Sequence, residues 1–184
     1  MKQFTVPTRV QVSQNNQIMF DKLNAAIGMV PNLYAAIAYS DTGLENYLTL
    51  QNSRTSFSKK EKEAINLVVS EINHCRYCQA AHTVLGKMNG FSEEQTLEIR
   101  SGSASFDPKL HALVRFTKEA TINKGKVSDA ALNGFLNAGY TNGSIVDVIL
   151  AIADKVVMNY LHNLTQIPID FPLAKQLETQ TEMI

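Results

Sequence analysis

The stretch Ser58–Gly90, SKKEKEAINLVVSEINHCRYCQAAHTVLGKMNG, governs the reading of the whole chain. It opens on Ser58-Lys59-Lys60-Glu61, a pattern in which the serine oxygen accepts a backbone N–H and the glutamate reaches back to the cap. The spacing predicts a helix from there to about Ile72. Asn73 breaks it and is expected to cap a second helix over about His74–Met88. Asn89-Gly90 stops that one by supplying a left-handed position. On the second helix Cys75 and Cys78 are i,i+3, and Cys78 and His82 are i,i+4, so all three share a face.

Outward from this pair the pattern stays helical. A helix is expected from about Asn16, closed by Gly28. Two short ones follow over Asn32–Tyr39 and Gly43–Gln51. Ser92-Glu93-Glu94-Gln95 repeats the capping pattern and opens a helix to about Arg100. Asp107-Pro108 starts another, ending near Lys124-Gly125, because proline suits the first helical turn. Ser128 caps one that ends at Gly139, and Thr141 caps the last long one, to about Leu164. No strand pattern emerges. The expectation is one all-α domain over residues 1–184, a multi-helix bundle with a motif-bearing core at about 58–90, a loose N-terminal arm and an extended C-terminal tail.

Lys+Arg and Asp+Glu are equal at 17 each, so no global field attracts nucleic acid and no membrane-surface role is suggested. The most apolar stretch, Ile145–Leu164, is interrupted by Asp147, Asp154, Lys155 and His162, and is expected to be a buried helix and not a membrane span. Its face around Ile145, Val148, Ile149, Ile152, Val156 and Val157 is expected to be core or subunit interface. The N-terminus lacks a secretory pattern. The only two cysteines sit in one tetrapeptide, where a bridge closes almost no loop and adds little stability. Chemistry explains the pair better than stapling does, and a reducing cytoplasm is the expected compartment.

Near a helix start, free N–H groups and the helix dipole favour a thiolate, the nucleophile for a peroxide O–O bond or a disulfide. His82, one turn beyond Cys78, is expected to exchange protons with a thiol directly or through water. In one unbroken helix Glu63 would lie about 18 Å from Cys75, at 1.5 Å per residue. If the chain turns near Asn73 and the helices pack antiparallel, Glu63 falls opposite His82. A carboxylate–imidazole–thiol relay then results.

Glu63, eleven residues, Cys75-x-x-Cys78, three residues and His82 resemble the signature of the alkylhydroperoxidase D and carboxymuconolactone decarboxylase superfamily. Met29-Val30-Pro31-Asn32-Leu33 and Ile167-Pro168-Ile169-Asp170-Phe171-Pro172 resemble its peroxidase-related branch. The resemblance implies an all-helical fold with a helix–helix oligomer interface, as trimers or hexamers. It implies an antioxidant oxidoreductase acting on a hydroperoxide. Cys78 would attack and become a sulfenic acid, and Cys75 would supply a proton and close a redox-active disulfide. Glu63 and His82 would relay protons, and a thiol or dithiol reductant protein would reset the pair. The family's best-known peroxidases carry a histidine directly before the second cysteine, where this chain has Tyr77.

Other readings compete. Cys75, Cys78 and His82 are competent zinc ligands, with His74 a fourth donor, but the second Cys-x-x-Cys or His-x-x-x-His of structural zinc sites is missing. A redox sensor without turnover and a lactone enzyme of the decarboxylase type are the remaining alternatives. Glu63 alone, among Lys59, Lys60, Glu61 and Lys62, would pass for a solvated carboxylate. Tyr77 is expected to be a pocket wall, and His111 and His162 structural or surface residues. No nucleotide or flavin motif appears, so neither cofactor nor metal is expected.

Overall fold

A computed structural model describes residues 4–177, and its helices follow from local signals. In chain order they are α1 (Gln14–Ile27), α2 (Asn32–Ile37), α3 (Gly43–Gln51), α4 (Lys59–Ile72), α5 (Arg76–Met88), α6 (Glu93–Ser101), α7 (Pro108–Ile122), α8 (Asp129–Asn137) and α9 (Asn142–Thr165). A single 3₁₀ turn, Arg9–Gln11, precedes them, and no strand occurs among the described residues. Ser58, Ser92 and Thr141 each form a reciprocal capping box with the residue three positions on. Gly28 ends α1 at φ 79°, a conformation that costs glycine nothing.

Helix α4 is the central element, packed against α5, α6, α7 and α9. Its residues Ala64, Ile65, Leu67, Val68 and Val69 are fully buried, so apolar side chains face outward on nearly every side of its middle turns. On one flank they meet Ile99, Leu113, Val114 and an aromatic stack. In that stack Phe135 lies 4.4 Å from Phe116 and 4.5 Å from Tyr140, centroid to centroid. On the other flank, a second cluster gathers Leu33, Tyr47, Cys75, Tyr77, Cys78, Met158 and Ile167.

Two expectations need correction. The N-terminal arm is not loose. Val12 is buried, Arg9 pairs with Asp21 at 2.8 Å, and buried Asn16 donates to the carbonyls of Ala38 and Ser40. The motif helix begins at Arg76, and its cap is Cys75, not Asn73. Asn73 ends α4 instead, and His74 turns the chain at φ 53°. The tail after α9 is extended as expected, and it is stitched down. Arg100 donates to the Lys175 carbonyl at 2.6 Å, and Asn32 to that of Pro168 at 3.1 Å.

Along α9, Val148, Lys155, Met158, Asn159 and His162 face inward, while Val146, Ile149, Leu150, Val157, Tyr160 and Leu164 are exposed. The anticipated apolar face is thus split. Val148 is core, whereas Ile149 and Val157 lie on the surface. No helix among the described residues is long and apolar enough to cross a membrane.

Candidate active site

The tight turn at His74 folds α5 back along α4, and this places the motif. The Cys75 sulfur accepts the N–H of Cys78 at 3.2 Å, so a cysteine fills the capping role that an oxygen side chain usually takes. Cys75 and Cys78 form a disulfide, with Cα atoms 5.3 Å apart, and both residues are buried. Cys78 lies on the third residue of α5, where unpaired N–H groups and the positive end of the dipole favour a sulfur anion once the bond is reduced.

One turn on, His82 meets Glu63 across the α4–α5 interface, Nδ1 to Oε2 at 2.8 Å. The antiparallel geometry therefore brings together the two residues that one continuous helix would have kept apart. The Glu63 side chain is only 12% exposed, so it is no solvated surface carboxylate. Burial pushes its carboxyl upward, but His82, Lys155 and the Asn66 amide outweigh that and hold it below the usual carboxylate range. The Asn66 amide donates to the other carboxylate oxygen at 3.3 Å.

Lys155, read in the sequence only as an interruption of an apolar helix, joins this site. It projects from α9, 2% exposed, with Nζ 3.3 Å from His82 Nε2 and 3.3 Å from Asp154 Oδ2. The signal that could have found it is a lysine on the same helical stripe as Val148 and Met158, a core position where an unpaired lysine is rare. Both ring nitrogens of His82 are therefore occupied. With both sulfurs in the disulfide no thiol is present, and Glu63 and Lys155 hold the ring from either side, so proton exchange with Cys78, direct or through water, belongs to the reduced protein.

Cys78, His82, Glu63 and Lys155 line one cavity of about 590 Å³. Its walls are largely apolar and aromatic, with Met29, Leu33, Tyr34, Tyr47, Met158 and Phe171 among them. Ile27 and Met88, both exposed, mark where it reaches the surface. Tyr34 donates to Gln51 Oε1 at 2.7 Å, and the Gln51 amide donates to Tyr47 at 2.8 Å. Burial pushes the Tyr34 phenol up to about 12 and the Tyr47 phenol far upward, so both stay protonated at neutral pH.

Tyr77 is a wall of this cavity, as expected, and also a tether. Its hydroxyl donates to Asp170 Oδ1 at 2.6 Å and accepts the Leu33 N–H at 3.3 Å. His74 is exposed and is not among the residues lining the cavity. His111 accepts the Ala104 N–H through Nδ1, and buried His162 packs against the Tyr77 ring. Among the described residues no group of three or more His, Cys, Asp or Glu side chains is arranged to hold a metal ion.

The carboxymuconolactone decarboxylase family model matches residues 41–119, which contain α3 to α6, most of α7 and the whole motif. No curated protein matches the sequence. Among solved structures, the chain is similar to a peroxidase-related protein with an alkylhydroperoxidase core from Ralstonia eutropha JMP134, at 16% identity and TM-score 0.78, covering 96% of this chain and 92% of that one. It is similar to a peroxidase-related protein from Silicibacter sp. TM1040, at 21% identity and TM-score 0.75, covering 88% and 86%. The debrominase Bmp8 shares the fold as well, at 13% identity and TM-score 0.70, covering 94% and 90%.

Proposed function

We propose that this chain, which belongs to the alkylhydroperoxidase D-like and carboxymuconolactone decarboxylase superfamily, is a thiol-dependent peroxidase that reduces organic hydroperoxides through Cys75 and Cys78. The observation that carries the reading is the Cys75–Cys78 disulfide, whose Cys78 lines an apolar cavity together with the Glu63–His82 pair. In the reduced protein the Cys78 thiolate attacks the outer peroxide oxygen. The O–O bond breaks, the leaving alkoxide takes a proton to become an alcohol, and Cys78 becomes a sulfenic acid. The Cys75 thiol then displaces hydroxide from that sulfur. Water leaves and the disulfide forms. Glu63 and His82 serve the proton movements in both steps.

A dithiol reductant protein returns two electrons and two protons by thiol–disulfide exchange. Homo-oligomers are part of the proposal, and the exposed apolar side of α9 is the surface that supports them. The same two-electron couple is what a reductive debromination would draw on, so bromide release from a bromoarene is the control for that chemistry.

The test is a free-thiol titration of the reduced protein before and after one equivalent of an organic hydroperoxide, with alcohol product measured alongside. Loss of both thiols, one alcohol formed, and recovery on adding a dithiol support the cycle. Thiols that persist in excess hydroperoxide defeat it and leave a sensory or lactone-directed role for the fold.

A further inference from the structure

We propose that Lys155 is a positioning residue of this site: its buried ammonium donates to His82 Nε2 and so fixes the imidazole as the Nδ1–H tautomer paired with Glu63. The assignment deepens the peroxidase reading and takes its functional meaning from it, but its geometry stands on its own. Ammonium has donors and no acceptor, so the Nε2 that faces Lys155 at 3.3 Å must offer a lone pair. The ring's remaining proton then sits on Nδ1, directed at Glu63 Oε2 at 2.8 Å. Glu63 is placed to accept it, since the Asn66 amide occupies Oε1 and Oε2 faces the ring nitrogen. A ring carrying both protons would set an N–H against the ammonium.

Four groups therefore form one chain of alternating character, Glu63, His82, Lys155 and Asp154, reaching from α4 through α5 to α9. The other charged or titratable groups around the cavity are Lys62, Tyr34, Tyr47, Tyr77 and Cys78. Lys62 donates to the Gln51 carbonyl at 3.2 Å, and the three phenols are pushed upward and neutral. Lys155 is thus the one fully buried cation in the walls shared with Cys78. Its charge favours an anionic sulfur in the same cavity, and its hold on His82 keeps the ring in a single orientation.

Long-range ¹⁵N–¹H correlation spectra of the oxidised protein report the tautomer directly. Wild type should show a pyrrole-type Nδ1 and a pyridine-type Nε2 for His82 at neutral pH. Lys155→Met should protonate Nε2 or mix the tautomers. Lys155→Gln should restore the wild-type pattern, because an amide N–H also donates to Nε2. Single-turnover oxidation of reduced Lys155→Met by hydroperoxide should be about tenfold to a hundredfold slower, with a displaced pH profile, as for loss of a residue that orients a reacting histidine. An Nε2–H or doubly protonated ring in wild type overturns the assignment, as does a Lys155→Met spectrum identical to wild type. Should Lys155→Met not fold, the wild-type spectrum decides alone. A wild type inert to hydroperoxide defeats the peroxidase reading while leaving the tautomer result to judge Lys155.

Discussion

The phenol of Tyr77 donates to Asp170 Oδ1 at 2.6 Å, joining the residue directly before the second cysteine to the tail that follows α9. Asp170 uses its second oxygen to accept the backbone N–H of Asn32 at 2.8 Å, at the start of α2. The Tyr77 ring also meets Phe171 edge-on at 5.6 Å. The motif helix, the tail and α2 are thereby fixed to one another through a single carboxylate. Where the best-known peroxidases of the superfamily carry a histidine, this chain carries a structural tether with an apolar body.

Tyr77→Phe should keep the ring packed and lose only the hydroxyl. A hydrogen bond to a charged acceptor contributes about 1.5–3 kcal/mol, and the urea midpoint should fall by the equivalent amount at unchanged slope. Thiol reactivity at Cys78 should change little. A midpoint equal to wild type would show that the tail is held by its other contacts alone.

Cys75 acts as a helix cap as well as a thiol. Cys75→Ser retains an acceptor for the Cys78 N–H, whereas Cys75→Ala loses it, so the alanine variant should be the less stable by about 1 kcal/mol. Neither variant can close the disulfide. With hydroperoxide each should consume one thiol and accumulate a sulfenic acid trapped by dimedone, while Cys78→Ser should not react. Equal stability of the two Cys75 variants would remove the capping role.

Glu63 ties stability to pH. Its carboxyl is depressed in the folded protein, so at acid pH the folded state binds fewer protons than the unfolded one. The resulting stabilisation is complete above the unfolded carboxyl value of about 4.3 and is lost as pH falls through the lower folded value. Glu63→Gln, which keeps the shape and can still bond His82, should flatten that acid limb of a pH–stability curve. It should also slow hydroperoxide turnover by about a hundredfold, the lower range for loss of an acid–base partner. An acid limb as steep as that of wild type would assign the effect to another carboxylate.

Helix starts were legible because a capping box is a local signal, and Ser58, Ser92 and Thr141 act as their neighbours three residues on imply. The meeting of Glu63 with His82 was legible for a related reason. A short connection leaves two helices little choice but to pack antiparallel, and register then follows from counting. The start of α5 was misplaced because Asn73 is a good cap by type, while nothing in the sequence announces that His74 takes a left-handed φ and hands the role to a sulfur. Lys155 and Asp170 stayed hidden for a different reason. They lie 73 and 93 residues from His82 and Tyr77, and only the crossing of α9 over α5 and the path of the tail bring them in.

The cavity predicts a preference by size. Ala81 lines it on α5, one turn before Leu85 and beside His82, and is nearly buried. Ala81→Phe would place a ring into the space above Cys78 without removing any charged or sulfur-bearing group. A volume of about 590 Å³ accommodates a bulky organic hydroperoxide, whereas hydrogen peroxide needs almost none of it. The variant should therefore react with cumene hydroperoxide about tenfold more slowly, chiefly through a raised KM, because lost pocket volume weakens binding of the apolar body. Its reaction with hydrogen peroxide should stay near wild type. An equal loss with both peroxides would mean that the ring disturbs Cys78 or His82 directly. An equal rate with both would mean that organic substrates reach the sulfur by another route, and stopped-flow oxidation of the reduced protein with each peroxide separates these outcomes.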